Sequence, residues 1–566
     1  MKTLKRYKVL FIILFLSGAS LLSYSFVDNY FEISKNLDIF TTLYREINTY
    51  YVDDTDPGKL MKKGIDAMLE SLDPYTNFYS ESDIEDYRFM TTGQYGGIGA
   101  QIKQKGDYVA IYEPYEGYPA QKADLRAGDV ILEIDGKSVK GKKTDDISKI
   151  LKGTPKTNVK LLIKREGEAK TFEKVVMRDE IKIKSVAYYG MYNDHIGYIR
   201  LTGFTENAGS EVKEALTNLK SKNNLTALIF DLRNNPGGLL NEAVNISNVF
   251  VDKGQEIVST RGKVKEWDKV YKAINAPIDV NVPVALLVNS GSASAAEIVS
   301  GSLQDLDRGV IIGQRTFGKG LVQTTRPLSY NTQLKVTTAK YYIPSGRCIQ
   351  ALDYTHRNED GSVGKVPDSL ITAFKTKNGR VVYDGGGVVP DIIIEPYKPS
   401  SIAISLYTKY LLFDYVTQYR LKHTSIPPAR EFKVTDADYN DFVAFLSDKD
   451  YDYTTKSEKT LQELKDNAEK EKYYEDVKAE FEALKAKMMH NKKEDLVKNK
   501  KEIMQMLRDE IVARYYYQSG RVEAEFDYDP EIAKAAEVLN DQKLYASVLN
   551  GTFKKSEKTD KEKSNK

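Results

Sequence analysis

The sequence predicts an α/β core with an inserted, mainly-β module and with helical regions at both ends of the chain. Strands and helices alternate between residues 179 and 397, in the β-α-β-α order that is typical of parallel sheets. Apolar residues recur at helical spacing before residue 90, and Lys, Glu, Asp and Tyr become frequent after residue 398. With 566 residues the chain is too long for one hydrophobic core, so we expect three or four domains.

The composition indicates a globular protein and gives no support to nucleic-acid binding. Hydrophobic residues make up 41% of the chain, and 83 basic against 81 acidic residues leave a net charge of +2. Nucleic-acid-binding proteins usually carry a marked basic excess. The one cysteine, Cys348, cannot form a disulfide within the chain, so stability must come from packed cores.

Residues 1–26 have the pattern of a secretory signal peptide or a membrane anchor. Basic residues at positions 2, 5, 6 and 8 precede an apolar run over residues 9–26. Small residues at positions 17–20 offer a cleavage site, whereas the length of the run also suits a membrane span. Cleavage and retention both stay open. In either case the positive-inside rule predicts that the rest of the chain is exported from the cytoplasm.

Residues 27–90 are predicted to form an N-terminal helical region. Apolar residues follow the 3.6-residue period in two stretches, namely Phe40, Leu43 and Ile47, and then Leu60, Ile65, Met68 and Leu72. We expect the second helix to end at Asp73-Pro74-Tyr75, because a helix rarely continues into a proline.

Residues 91–178 are predicted to form the mainly-β module. The apolar runs at 108–112, 130–134 and 159–165 read as strands, and Asp135-Gly136 is a hairpin turn signal. Residues 144–151 read as a short helix. This order fits a small β module with two helices.

Residues 179–397 are predicted to form the α/β core. The runs at 196–201, 225–232 and 282–288 read as strands, the last two of them buried, and the segments after Ala208 and Gly238 read as helices. The strand at 282–288 leads directly into a serine-rich segment.

Residues 398–553 are predicted to form a helical C-terminal domain, and residues 554–566 a disordered charged tail. Tyr474, Val477, Phe481, Leu484 and Met488 follow the 3-4-3-4 spacing of a bundle or coiled-coil seam. Two interpretations stay open for this seam. It packs within its own chain, or it joins a homo-oligomer.

Ser294 and Lys319 are the candidate nucleophile and base. Ser294 lies among small residues in Ser292-Ala293-Ser294-Ala295-Ala296-Glu297, and Lys319 lies between glycines in Thr316-Phe317-Gly318-Lys319-Gly320. A serine hydroxyl attacks poorly unless a neighbour takes its proton, and lysine can do this in place of histidine. None of the four histidines lies in a comparable small-residue segment. This pattern predicts a Ser-Lys hydrolase.

Ser294 also admits a purely structural interpretation, since Ser294 to Glu297 matches the S-x-x-E capping box that begins many helices. The N–H groups at a helix N-terminus suit an oxyanion equally well. Gly237 and Gly238 form a tight turn after a buried strand, so an amide from either, with the amide of Ala295, can bind the charged oxygen of a tetrahedral intermediate. A turn that needs glycine only for its backbone angles is the alternative.

Lys319 must lose its proton to act as a base. A free lysine has a pKa of about 10.4 and is almost fully protonated at neutral pH. Burial among apolar groups favours the neutral amine. Gln323, four residues further on, can hydrogen-bond the amine and orient it. A surface lysine in a loop is the alternative interpretation.

Together these segments resemble the C-terminal processing (tail-specific) proteases of the S41 serine peptidase family, which carry a PDZ domain. The likeness extends from about residue 30 to residue 397. The motifs that carry it are Asp73-Pro74-Tyr75, Tyr95-Gly96-Gly97-Ile98-Gly99, Ala127-Gly128-Asp129-Val130-Ile131, Asp231-Leu232-Arg233-Asn234-Asn235-Pro236-Gly237-Gly238, the Ser294 and Lys319 segments with Gln323, Tyr342-Ile343-Pro344-Ser345-Gly346-Arg347 and Gly387-Val388-Val389-Pro390-Asp391.

The resemblance implies a function for each of these groups. Ser294 would be the nucleophile, Lys319 its base and Gln323 the support of that base. The mainly-β module would be a PDZ domain whose Gly96, Gly97, Ile98 and Gly99 capture the C-terminus of a polypeptide substrate. The α/β core would have β-α repeats like those of crotonase and ClpP. The resemblance implies no metal or organic cofactor, and it implies a location in the bacterial cell envelope, in the periplasm or on the outer face of the inner membrane. Ala296 stands where the family often has another serine.

Two other functions fit parts of the sequence. One is a catalytically silent envelope scaffold or chaperone that binds polypeptide tails through its PDZ domain. A scaffold has no need for Ser294, Lys319 and Gln323 together. The other is a crotonase-like acyl-CoA enzyme, which also binds an oxyanion with two amides, but this leaves the PDZ-like module and the export signal unexplained.

Overall fold

The computed structural model describes residues 30–222, 224–488 and 492–553. The predicted signal or anchor over residues 9–26 and the predicted charged tail lie outside the described residues. The chain divides into two compact units, with the boundary between Phe78 and Tyr79. Across the described ranges, no helix has the length and apolar character that crossing a membrane requires.

The first unit is mainly helical, as predicted. One helix spans residues 30–50, and another spans Pro57–Glu70. Asp56 is the N-cap residue of the second helix, and its carboxylate accepts the N–H of Lys59 at 3.0 Å. After the second helix the Asp73 carboxylate accepts the N–H groups of Tyr75 and Thr76 at 2.8 and 2.9 Å. This turn confirms that the helix ends before Asp73-Pro74-Tyr75.

The β module of the second unit contains an antiparallel sheet and two short helices within the described residues. The strands lie in the order Ala100–Lys105, Tyr108–Pro114, Val130–Ile134, Asn158–Lys164 and Phe172–Met177, with Lys137–Ser138 paired to Val130–Ile134. The helices are Pro119–Lys122 and Thr144–Leu151. Asp135 and Gly136 have φ values of 49° and 74°, as the predicted hairpin turn requires. Ala100–Lys105 lies at an edge of this sheet.

The core contains a mostly parallel sheet, which confirms the predicted α/β arrangement. Its strands lie in the order Val186–Met191, Ile196–Leu201, Ala227–Asp231, Val284–Val288, Val310–Gly313 and Ile392–Ile393, and only the first of these pairs is antiparallel within the described residues. The helices Ala208–Lys222, Leu240–Phe250 and Ala295–Asp305 pack on one face. Helices from the C-terminal region pack on the other face through Ile532, Ala535 and Val538. The central strands are therefore buried on both sides.

A second sheet lies beside this core. The strands Leu321–Pro327 and Gln333–Tyr342 form an antiparallel hairpin, and Glu256–Gly262 pairs with both Gln333–Tyr342 and Lys269–Lys272. Two short antiparallel pairs follow, Leu352–Arg357 with Val363–Lys365, and Ala373–Lys375 with Val381–Tyr383. The hairpin is the part of this sheet that matters for the site.

The C-terminal region is helical, as predicted. Its helices are Ser401–Thr408, Leu411–Lys422, Asp436–Phe445, Lys456–Lys470, Tyr474–Met488, Lys492–Lys498, Lys500–Glu525, Pro530–Asn540 and Gln542–Leu549. In the predicted seam, Tyr474 and Phe481 pack within the chain against the preceding helix, whereas Val477 and Leu484 are 38% and 46% exposed. The buried half of the seam thus follows the first interpretation, and an oligomer through the exposed half stays a prediction.

Candidate active site

Ser294 lies in a strained turn between the buried strand Val284–Val288 and the helix Ala295–Asp305. It is the N-cap residue of that helix, with φ 54° and ψ −113°. A residue with a β-carbon rarely adopts a positive φ, and such strain is concentrated at functional sites. The hydroxyl of Tyr341 donates to the Ser294 carbonyl oxygen at 3.2 Å. Burial holds the pKa of Tyr341 well above its usual value, so this donor stays protonated.

Glu297 joins the serine turn to the lysine loop. Its carboxylate is fully buried and accepts the N–H of Ser294 at 2.8 Å and the N–H of Lys319 at 2.9 Å. It also accepts the N–H of Gly318 at 2.7 Å and the Thr316 hydroxyl at 2.5 Å. Burial raises the pKa of Glu297 to about 7, although these donors act in the opposite direction. Glu297, which the S-x-x-E pattern predicted only as a helix cap, therefore also fixes the lysine loop from Thr316 to Lys319.

The glycine turn lies directly against the serine turn. A β-carbon added to Gly237 would lie 2.8 Å from the Ala295 nitrogen and 2.9 Å from Ser294 Cβ. The Gly237 N–H donates to Asn235 Oδ1 at 2.9 Å, so it is already satisfied. Within the described residues, the N–H groups of Gly238 and Ala295 have no acceptor in a backbone or side-chain hydrogen bond. The geometry thus favours Gly238 over Gly237 as the second N–H donor, with Ala295, of the predicted oxyanion-binding pair.

One cleft of about 560 Å³ brings together all the residues predicted for the chemistry. Ser294, Ala295, Gly237, Gly238, Lys319 and Gln323 line it. Lys319 and Ser294 are both half-buried. Gln323 lies on the hairpin, where its Nε2 donates to Thr337 Oγ1 at 3.1 Å. That hydrogen bond fixes the Gln323 side chain across the hairpin, at the wall of the cleft.

The residues predicted to bind a substrate C-terminus lie elsewhere. Gly96 and Gly97 pair in the strand Gln94–Gly97 with Asp179–Lys182, so Ile98 and Gly99 form the loop itself. Carbonyl oxygens of this loop accept N–H groups from Ala120 and Tyr115 at 2.7 and 2.9 Å. The edge strand Ala100–Lys105 begins directly after it. Among the described residues, none of these four lines the Ser294 cleft.

Sequence reasoning missed several residues of the site. Thr316 lies in the lysine motif and Tyr341 lies next to the motif that begins at Tyr342, but neither residue was predicted to have a role. The hairpin Leu321–Pro327 with Gln333–Tyr342 was not predicted. Lys335, on that hairpin, also lines the cleft. The flanking motifs Thr316-Phe317 and Tyr342-Ile343 were the signals that pointed to this part of the chain.

Family models match three parts of the chain. Peptidase family S41 matches residues 195–356, a PDZ domain matches residues 111–165, and the C-terminal helical domain of a probable PDZ-protease matches residues 402–539. The core, the β module and the C-terminal helices therefore each have a counterpart among known protease domains.

Individual proteins match over longer stretches. A carboxy-terminal-processing protease of Bartonella bacilliformis is 39% identical over 324 residues, which cover 57% of this chain and 74% of that protein. A probable CtpA-like serine protease of Staphylococcus aureus is 36% identical over 56% of this chain and 62% of its own length. Among solved structures, a photosystem II D1 C-terminal processing protease is 29% identical, over 63% of this chain and 92% of that one, with a TM-score of 0.33.

Fold, site and relatives define a serine protease that carries a PDZ domain. The chain belongs to the carboxy-terminal-processing proteases of peptidase family S41.

Proposed function

We propose that this protein is an endopeptidase of the cell envelope that binds substrate C-termini through its PDZ domain and cleaves peptide bonds by a Ser-Lys mechanism. The main observation in support of this mechanism is that the Glu297 carboxylate accepts the N–H groups of both Ser294 and Lys319. Because one buried group fixes both backbones, the two side chains are held at the same cleft. Capping of the helix does not by itself explain the hydrogen bonds from the lysine loop to Glu297.

In the first step, Ser294 Oγ attacks the carbonyl carbon of the scissile bond while Lys319 Nζ accepts the hydroxyl proton. The carbonyl oxygen becomes an oxyanion, and the N–H groups of Ala295 and Gly238 donate to it. The intermediate then collapses. The bond to nitrogen breaks, Lys319 returns the proton to the leaving amine, and an ester to Ser294 remains.

In the second step, water attacks the ester carbonyl carbon and gives a proton to Lys319. The same two N–H groups bind the second oxyanion. Collapse breaks the bond to Ser294 Oγ, which recovers the proton from Lys319, and the acid product leaves. Gln323 acts as a positioning residue that limits the movement of the lysine. No metal or organic cofactor takes part in this scheme.

Substrate capture is assigned to the PDZ domain, residues 91–178. A substrate C-terminus would bind at Gly96 to Gly99, and the chain before it would add as a strand beside Ala100–Lys105, at the edge of the sheet. This arrangement is supported by the edge position of that strand. The polypeptide would then run to the cleft of the core, residues 179–397.

The remaining assignments rest on sequence and relatives. Residues 1–26 would export the chain and either be removed or anchor it, and the bacterial origin of the relatives is consistent with an envelope location. Residues 398–553 would form a C-terminal domain whose exposed Val477 and Leu484 join a homo-oligomer. Polypeptides are the expected partners.

Mass spectrometry of cleaved products tests the proposal. The full-length protein is incubated with unfolded substrates that differ only in their last three residues. We expect cleavage that depends on the C-terminal sequence and is lost in Ser294→Ala and Lys319→Ala. Binding without cleavage by the unmodified protein would instead favour the silent scaffold, and undiminished cleavage by either variant would contradict the Ser-Lys mechanism.

A further inference from the structure

The ionisable lysine and carboxyl groups that line the Ser294 cleft are, among the described residues, all lysines. Lys184, Lys319 and Lys335 line it, and among its described lining residues there is no Asp or Glu. Glu297 lies behind the wall, where backbone N–H groups and a hydroxyl occupy its oxygens. A cleft with a single sign of charge attracts ligands of the opposite sign.

Lys335 differs from the other two lysines. Lys319 has the role of base, and Lys184 is exposed. Lys335 is half-buried, and no salt bridge joins it to a carboxylate in the described part of the chain. Burial, with no opposing charge, lowers the pKa of Lys335 from its usual value. A half-buried cation without a counter-ion is costly unless a ligand supplies one.

The register of the hairpin Leu321–Pro327 with Gln333–Tyr342 determines the position of Lys335 relative to Gln323. Thr337 pairs with Gln323, and Lys335 pairs with Thr325. Since alternate residues of a strand share a face, Lys335 lies on the face of Thr337, about 7 Å further along. The Thr325 hydroxyl hydrogen-bonds the Tyr87 hydroxyl at 2.7 Å, which fixes the strand opposite Lys335. Lys335 therefore lines the cleft two residues further along the strand than Thr337, the partner of Gln323.

We propose that Lys335 forms a subsite that binds a carboxylate of the polypeptide substrate near the scissile bond. This inference rests on the proposed peptidase function. An extended peptide rises by about 3.4 Å per residue, so the carboxylate belongs to a residue roughly two to four positions from the scissile bond. It comes either from an Asp or Glu side chain or from the substrate C-terminus.

The test uses peptides that carry Glu or Gln at each of four positions on both sides of a mapped cleavage site. For the wild-type enzyme, we expect kcat/KM at one position to favour Glu by about ten-fold, equivalent to about 1.4 kcal/mol. In Lys335→Gln this ratio should fall below two, and in Lys335→Glu a Lys-containing peptide should become the better substrate. Lys340→Gln, an exposed lysine on the same strand that does not line the cleft, is the matched control and should keep the wild-type ratio.

A second arm separates the two sources of the carboxylate. The same peptides are compared as free acids and as C-terminal amides. If Lys335→Gln removes discrimination between acid and amide, the terminal carboxylate is the ligand; if it removes discrimination between Glu and Gln, the side chain is. An unchanged response to both in Lys335→Gln overturns the inference.

Binding measurements keep the inference separate from catalysis. Amidated Glu and Gln peptides, which lack the terminal carboxylate that a PDZ domain captures, are titrated into Ser294→Ala and into Ser294→Ala with Lys335→Gln. Tighter binding of the Glu peptide only when Lys335 is present supports the subsite, even if no cleavage occurs. Absence of Ser294-dependent cleavage would refute the proposed function. Equal binding of both peptides to Ser294→Ala, together with acid-over-amide discrimination that is the same with and without Lys335, would refute the subsite.

Discussion

The active-site cleft and the junction between the PDZ domain and the C-terminal helices differ in what their basic side chains contact. At the junction, Lys105 pairs with Asp414 at 2.8 Å, and Lys103 and Arg514 lie over the ring of Phe413, 3.4 and 4.0 Å from its centroid. In the cleft, Lys335 meets no carboxylate of its own chain in the described residues. Both regions enclose volumes of similar size, about 480 and 560 Å³.

The difference distinguishes structural from functional cations. A basic group that is already paired offers little to a ligand, and it helps to fix two surfaces in one orientation. A half-buried basic group that contacts neither a carboxylate nor an aromatic ring lowers stability, so its presence indicates a role in binding or chemistry. The Ser294 cleft, through Lys335, has this second character.

The largest effect is expected from Ser294 and Lys319, the proposed nucleophile and base. Ser294→Ala and Lys319→Ala should each lower kcat by at least about 10⁴-fold, because the residues of such a pair act as a unit. Lys319→Arg should be as inactive, since a guanidinium stays protonated and cannot serve as base. The measurement is single-turnover cleavage of a peptide substrate, with circular dichroism to confirm folding.

Lys184→Ala is the matched control, because it removes an exposed lysine from the same cleft. It should keep kcat within ten-fold of the wild type, a bound taken from typical exposed charges. Activity in Lys319→Arg would show that the positive charge matters and the proton transfer does not.

The glycine turn is expected to give the next largest effect. In Gly238→Ala a β-carbon would lie 2.4 Å from the Phe204 carbonyl oxygen, at a φ of 149°. The turn must shift, and the Gly238 N–H then misses the oxyanion. We expect kcat to fall by about 10²- to 10³-fold, the usual cost of losing one donor.

Gly254→Ala provides the control for backbone strain alone, since Gly254 has a φ of 91° and open space around its added β-carbon. Thermal unfolding and kcat are measured for both variants. If Gly238→Ala loses stability but keeps kcat, Gly238 is not a donor to the oxyanion.

Glu297→Gln should produce an intermediate loss and a changed pH profile. A protonated Glu297 cannot accept from all its donors, and its pKa is about 7, so activity of the wild type should fall as pH decreases through 7. The variant should lose about 10- to 100-fold in kcat, because an amide also cannot accept every N–H. Its kcat should no longer fall at the pH at which Glu297 becomes protonated in the wild type.

As pH decreases through 7, activity should fall, whereas the contribution of Glu297 to the free energy of unfolding should rise. The folded state raises the pKa of Glu297 from 4.5 to about 7. The proton is therefore held more tightly in the folded protein, and the contribution of this group to the free energy of unfolding is complete below pH 4.5 and declines as pH rises to about 7. Glu297→Gln should remove that decline in urea titrations. An unchanged acid limb in the variant would exclude Glu297 from the pH dependence of activity.

The sequence predicted the core better than the walls of the cleft. The strand Ile196–Leu201 has the predicted bounds, because a strand buried on both faces is a nearly continuous apolar run. The hairpin Leu321–Pro327 with Gln333–Tyr342 was missed. Most of its residues are half-buried, since they face a cleft, and they show no apolar period.

Long-range partners were also beyond the reach of local patterns. The S-x-x-E motif correctly placed Ser294 and Glu297 at a helix start, but nothing in it indicates the hydrogen bonds to the lysine loop. Likewise, the spacing in the C-terminal region predicted helices without showing that Ile532 and Ala535 cover the second face of the core sheet. Local periodicity fixes elements, whereas contacts between distant segments depend on the packing of the whole domain.

The smallest effect is expected at the junction, which completes the comparison. The Lys105 and Asp414 side chains are each about one third exposed. A double-mutant cycle of Lys105→Ala and Asp414→Ala in urea unfolding should therefore give a coupling energy of about 1 kcal/mol or less. Neither variant should alter the Glu-to-Gln ratio at the Lys335 subsite, because this lysine is already neutralised within the chain. A junction variant that changes this ratio as much as Lys335→Gln would mean that pairing within the chain does not separate structural from functional cations in this protein.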